Sequence, residues 1–208
     1  MVKGVIFDLD GVILSTDDFH YLAWKKLADR LNIPFDRTKN NRLRGVSRME
    51  SLEIVLEGYT FSDEEKKLFA EEKNNTYREL LGTLTPEVIT EDVLKTLKEL
   101  KRKGIKIAIG SSSKNTKYIL ERVGLLHEFD AISDGTNITR SKPDPEVFLK
   151  AAEMIKLPPH DCLVIEDAFA GIDAANAGGF ISVAIGDAVN HKNTKYKINK
   201  LSDILKII

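Results

Sequence analysis

The chain holds one cysteine, Cys162, so no disulfide can form within it. It also lacks an excess of either charge. Thirty-one basic residues stand against 32 acidic ones, for a net charge of −1. No global field would draw it to a nucleic acid or an anionic membrane. No apolar run approaches the roughly 20 residues that span a bilayer. The N-terminal apolar run Val5-Ile6-Phe7 is broken at once by Asp8 and Asp10, so nothing there reads as a secretion signal. Repeats and low-complexity tracts are missing as well. These absences lead us to expect a cytoplasmic protein with neither nucleic-acid nor membrane partners. What is present is a chain of 208 residues, 42% of them apolar, enough for one large domain or two modest ones.

Short apolar runs rich in β-branched residues recur at 5–7, 105–109, 131–132, 163–165 and 181–185. Segments with helical spacing separate them. Leu94, Leu97 and Leu100 form one stripe, stopped by Gly104; Ile119, Leu120 and Val123 form a second, stopped by Gly124. Val147, Phe148, Ala151, Ala152 and Ile155 form a third, opened by Pro143-Asp144-Pro145. Strands alternating with helices imply an α/β protein with a Rossmann-like, doubly wound parallel sheet, whose ligands bind beyond the carboxyl ends of the strands. From about residue 14 to 86 no strand pattern is found. Helical spacing there predicts helices near 19–31, 48–56 and 62–81, the last opened by the capping run Ser62-Asp63-Glu64-Glu65. We therefore expect a catalytic core of residues 1–14 and 87–208 and an inserted α-helical cap domain of residues 15–86, placed to act as a lid.

Four clusters fall at strand ends. Asp8-Leu9-Asp10-Gly11 follows the first run, and period-two alternation sends both carboxylates toward one crevice. Two close carboxylates need a cation between them or a proton on one. Ser111-Ser112-Ser113-Lys114-Asn115 follows the second run and opens a helix, a setting that binds phosphate. Lys142, beside Pro143, offers a cation in a stiff loop. Glu166-Asp167 follows the fourth run; adjacent acids after a buried strand are costly without a partner, which a hard cation such as Mg²⁺ supplies. Gly171, Gly178 and Gly179 downstream suit a tight strand–helix unit.

These four clusters, in this order and with an inserted cap, resemble the motifs of the haloacid dehalogenase superfamily over essentially the whole chain. Within it, the runs His20-Tyr21-Leu22-Ala23-Trp24-Lys25, Arg44-Gly45-Val46-Ser47-Arg48-Met49-Glu50-Ser51 and Lys73-Asn74-Asn75-Thr76-Tyr77 resemble the β-phosphoglucomutase branch. The resemblance implies a nucleophile, Asp8, that forms an aspartyl phosphate, and a general acid and base, Asp10. It implies Mg²⁺ held by Asp8, Asp10 (through its backbone carbonyl as well), Glu166 and Asp167. Ser111 and Lys142 would hold the transferring phosphate. Arg48, Ser113, Lys114 and Asn115 would hold a second phosphate, with His20 and Trp24 at the sugar. Arg44, Gly45, Val46, Ser47, Ser51, Lys73 and Ser112 complete the implied substrate contacts. The expected partner is a small sugar phosphate, met by a monomer. The expected reaction interconverts β-D-glucose 1-phosphate and glucose 6-phosphate through β-glucose 1,6-bisphosphate. The chain departs from that branch at Ser15, where many members have an acid, at Arg44, commonly lysine, and at Ser112, commonly alanine. Two rivals stand beside this reading: a Mg²⁺-dependent sugar or polyol phosphate phosphatase and, more distantly, a module that only binds a phosphorylated ligand. A dehalogenase is disfavoured because its chemistry does not call for Asp10.

Overall fold

The structure, a computed structural model, describes residues 2–208. Among these, six strands form one parallel sheet: β1 (Gly4–Phe7), β2 (Lys106–Gly110), β3 (Ala131–Ser133), β4 (Cys162–Glu166), β5 (Ile181–Ala184) and β6 (Tyr196–Lys197). Their order across the sheet is β3-β2-β1-β4-β5-β6. All five pairings are parallel, with Phe7 opposite Ile109 of β2 and Ile165 of β4. The doubly wound α/β core expected from the alternating pattern is what the chain adopts. β1 lies centrally because its residues are apolar on both faces, as a strand covered on both sides requires.

Alternate strand residues serve opposite faces. Val5, Phe7, Ile107, Ile109, Leu163 and Ile165 join one core cluster with α5 (Glu91–Arg102) and α6 (Thr116–Arg122). Ile6, Ala108 and Val164 join another with α7 (Glu146–Met154) and α8 (Phe169–Ala177). Fully burying a side chain such as Phe148 is worth about 1.5–3 kcal/mol, so these two layers dominate the stability of the core. One expected stripe is displaced. Leu94 is 48% exposed, and Val93 takes its place in the core. Positions 93, 97 and 100 keep the four-then-three spacing of one helical face, which 94 does not. Strand β6 was not anticipated: both its residues are exposed, and a single tyrosine makes no apolar run.

Between β1 and β2 the chain runs through α1 (Asp17–Arg30), α2 (Arg37–Asn41), α3 (Arg48–Val55) and α4 (Asp63–Leu81). Ser62 caps α4: its side chain accepts from the Glu65 N–H, and the Glu65 carboxylate accepts from the Ser62 N–H at 2.8 Å. The inner face of α4 carries Phe69, Ala70, Lys73, Tyr77 and Leu81, and packs on α1. Trp24, Leu27, Phe35, Leu52, Val55 and Phe69 form a separate apolar cluster among these helices. The short helix α2 has no apolar stripe, which is why sequence periodicity passes over it.

Candidate active site

The N–H of Asp8 still bonds the Ile165 carbonyl at 3.0 Å, so this carboxylate leaves the sheet at the middle of its carboxyl edge. Lys142, 1% exposed, donates to Asp8 Oδ1 and to Glu166 Oε1, each at 2.5 Å. Glu166 Oε2 accepts from the Ala168 N–H at 2.9 Å. Asp8, Glu166 and Asp167 each bring a carboxylate oxygen within 4.8 Å of the others. The close approach depends on two glycines. A Cβ on Gly171 would sit 1.9 Å from the Glu166 Cδ, and one on Gly11 would sit 1.9 Å from Asp167 Oδ2.

Asp8 and Glu166 share Lys142 while Asp167 leans on Arg44, and the electrostatics record the crowding of three buried carboxylates. Burial pushes Asp8 up to about 7, with Lys142 opposing it and Glu166 adding to it. Burial, reinforced by Glu166 and Asp8, pushes Asp167 up to about 8. Burial alone would lower Lys142, but Asp8 and Glu166 outweigh it and hold the ammonium charged. An all-oxygen donor set with surplus negative charge fits a hard divalent cation. Asp10 stands apart from this cluster. Its Oδ1 accepts from the Thr16 N–H at 2.8 Å and the Thr16 hydroxyl at 2.5 Å, and that hydroxyl lies 2.8 Å from the Tyr77 hydroxyl. Of the four acids expected around a metal, three converge through their side chains; the Asp10 carboxyl is turned to the hinge. Burial pushes Asp10 up to about 6, against the lowering effect of Thr16.

The loop after β2 is a turn of small hydroxyls. Ser111 Oγ accepts from the Ser113 N–H at 3.2 Å, and Ser113 Oγ accepts from the Asn115 N–H at 3.1 Å. It also touches the helical insert. Ser112 Oγ donates to the Gly45 carbonyl at 3.4 Å, a contact alanine there could not make. Asn115 donates to Asn74 at 3.0 Å and accepts from Arg78 at 3.3 Å. Lys114 is exposed at the rim.

From the insert, α1 and α4 bring His20, Trp24 and Lys73 together. Lys73 Nζ lies 2.8 Å from His20 Nδ1, 4.8 Å from the Trp24 ring centroid and 4.5 Å from that of Tyr77. Lys73 is held well below the ordinary lysine range by burial, with Arg48 nearby, so the direction of this bond follows the protonation of Lys73. Burial, with Lys73 and Arg48 nearby, holds His20 well below its usual range and keeps it neutral. Trp24 packs in the helical cluster and also lines the cavity. Ser47 caps α3 in a box with Glu50, which aims the following Arg48 inward. Among the described residues no carboxylate pairs with Arg48 (burial lowers its pKa), whereas Arg44 is fully committed. Its guanidinium reaches Asp167 at 2.6 Å, Asp187 at 2.7 Å and Asp17 at 2.9 Å.

Most of these groups border one cavity of about 1020 Å³ between the sheet edge and the inserted helices. Asp8, Asp10, Ser111, Lys142, Glu166 and Asp167 form its floor. His20, Trp24, Arg44, Gly45, Val46, Ser47, Arg48, Ser51 and Lys73 face it from the insert, with Ser112, Ser113, Lys114 and Asn115 at one side. Sequence reasoning missed Thr16, Asp17, Asn40 and the link from Tyr77 to Asp10. Only the period of α4, which puts Tyr77 four residues beyond Lys73, carries a signal for any of them.

An α/β core with a lysine-bridged carboxylate cluster at the centre of its carboxyl edge defines a class: the chain belongs to the haloacid dehalogenase-like hydrolases, whose family model matches residues 2–179. Within that family it is 42% identical over 207 residues to the β-phosphoglucomutase of Bacillus subtilis strain 168, covering 98% of this chain and 92% of the relative. It is 30% identical over 182 residues to a fructose-1-phosphate phosphatase of Escherichia coli K12, covering 88% of this chain and 95% of that one. The crystal structure of a β-phosphoglucomutase from Clostridium difficile superposes with a TM-score of 0.93 at 41% identity, covering 98% of this chain and 93% of that chain.

Proposed function

We propose that this protein is a Mg²⁺-dependent β-phosphoglucomutase, and that residues 15–86 are its lid over a core of residues 1–14 and 87–208. The observation that carries the reading is the second anion grip. A mutase must hold a sugar phosphate at both ends and in two orientations. Arg48, half-buried and unpaired among the described residues, faces the cavity that has Lys142 at its floor. Arginine meets phosphate with a two-pronged fork. The 42% identity to a named β-phosphoglucomutase supports the same reading.

Asp8 attacks the phosphorus of the bisphosphate in line and becomes an aspartyl phosphate; a sugar hydroxyl then takes the phosphoryl group back. Lys142 and Ser111 hold the transferring oxygens. Asp10, whose pKa of about 6 suits exchange near neutrality, gives a proton to the leaving hydroxyl and later removes one from the attacking hydroxyl. Arg48, Ser113, Lys114 and Asn115 hold the idle phosphate. Asp8, Glu166, Asp167 and the Asp10 carbonyl would hold Mg²⁺, which when bound neutralises charge on the phosphoryl oxygens. Neutral His20 orients the sugar beside Lys73 and Trp24.

The test is an NADP-coupled assay on β-glucose 1-phosphate with trace β-glucose 1,6-bisphosphate. Glucose 6-phosphate should form; none above an Asp8→Asn control would sink the proposal. The phosphatase reading keeps a place because a phosphatase relative aligns over 88% of the chain. Free phosphate without isomerised sugar would favour it.

A further inference from the structure

Two buried side-chain atoms of the described residues find no hydrogen-bond partner: Oδ2 of Asp134 and Oδ1 of Asn40. They differ in what lies beside them. Asp134 sits in the turn after β3, where its other oxygen takes the N–H and hydroxyl of Thr136, and it does not border the cavity. Asn40 is 6% exposed and lines the cavity from the insert.

The backbone of Asn40 is already used. Its N–H bonds the Asp36 carbonyl at 3.0 Å, and its carbonyl accepts from Leu43 at 2.9 Å. Helix α2 is pinned at both ends. Asp36 caps it through the Lys39 N–H at 2.8 Å, and Lys39 Nζ reaches the Val55 carbonyl at 2.9 Å. A rigid turn therefore holds a carboxamide in the cavity wall with its acceptor unsatisfied and without accessible surface, so a ligand meets that oxygen once the amide turns. A leucine would fill that space without the penalty of an orphaned polar atom. The amide earns its place only if a ligand completes it.

We propose that Asn40 is a specificity residue that hydrogen-bonds a hydroxyl of the hexose ring. The inference rests on the reading of the cavity as a hexose-phosphate site. A carboxamide has an acceptor and two donors, and half a turn of the amide exchanges them, so it can match a hydroxyl in either sense. It carries no charge, which suits a neutral hydroxyl rather than a phosphate. The two phosphates have their own cations in Lys142 and Arg48. Asn40 thus reads the ring between them, and a sugar without that hydroxyl leaves a buried amide unpaired, the arrangement that discriminates most strongly.

The test compares wild type, Asn40→Leu and Asn40→Ala on β-glucose 1-phosphate and on its 2-, 3- and 4-deoxy analogues. Isomerised sugar and free phosphate are both measured. Asn40→Leu should melt at or above the wild-type temperature. Both variants should lose about 10–100-fold in kcat/KM on the parent sugar. On one deoxy analogue, wild type and variants should agree within about threefold, which identifies the hydroxyl read. Asn40→Ala, which cannot clash, supplies the same readings if Asn40→Leu does not fold. Variants within about threefold of wild type on the parent sugar, or an equal loss on every analogue, overturn the proposal. A wild type that releases only phosphate overturns the mutase reading, while the comparison of analogues still decides the role of Asn40. A wild type inactive on every sugar overturns both.

Discussion

Lys142 is the one cation between two carboxylates that have left water, and its removal is correspondingly expensive. Without it Asp8 and Glu166 repel each other in a buried site. Breaking a buried pair on one side costs about 3–5 kcal/mol. In chelator-treated protein Lys142→Met should lose about that much in denaturant unfolding and should not turn over sugar phosphate; a loss below about 1 kcal/mol would show the ammonium to be a spectator. Asp8, Glu166 and Asp167 were legible in the sequence because each closes or follows a strand, where a charge is conspicuous against an apolar run; Lys142, in the loop between β3 and α7, was legible only beside Pro143. Asn40 and Thr16 were not, since a single polar residue in a polar stretch looks solvated until the fold surrounds it. Arg44 was legible as a cation, but its partners were not: Asp167 and Asp187 lie 123 and 143 residues away.

At the scale of elements, α7 anchors the loop that carries Lys142. The carboxylate of Glu146, in its first turn, accepts from the Thr139 and Arg140 N–H groups at 3.0 and 2.7 Å and pairs with Lys150. Lys150, then the Arg140 N–H, hold it down to about 2. A carboxyl lowered in the fold stabilises above its ordinary value near 4.5, and that contribution fades as pH falls through about 2. Wild-type exchange protection at Thr139 and Arg140, corrected for intrinsic rate, should therefore fall only in strong acid. Glu146→Gln should show the loss already at pH 7, with turnover several-fold lower as Lys142 loosens. Strands read well from the sequence because a parallel sheet buries both faces and writes them as unbroken apolar runs. Strand β6 and helix α2 bury little, so they left no such record.

At the scale of the molecule, the insert and the core meet across a charged seam, with Arg44 at its centre. Arg44→Ala should raise KM for the sugar phosphate by roughly tenfold, from pairs worth about 0.5–1 kcal/mol each. It should leave kcat within about threefold and speed amide exchange over residues 43–51. An unchanged KM would show that the seam does not favour closure. The floor of the cavity makes a second whole-molecule quantity predictable. A carboxyl raised in the fold keeps a proton that the unfolded chain has released, so its contribution is full below its ordinary value and declines as pH rises through the folded one. With Asp10, Asp8 and Asp167 at about 6, 7 and 8, these three should cost metal-free protein stability between about pH 4 and pH 8. Melting with and without Mg²⁺ should show a gap that widens with pH; a gap independent of pH would refute it.

The four helices of the insert leave the core just after β1 and return before β2, so only two passages of backbone tie them to the sheet. Such an insert behaves as an exchangeable cartridge. On the proposed reading the phosphorylating machinery stays with the sheet, while the choice of sugar, assigned above to His20, Asn40, Arg48 and Lys73, travels with the helices. A lineage can therefore retool its diet by rewriting one contiguous stretch of gene and never touch the residues that make and break the phosphate bond.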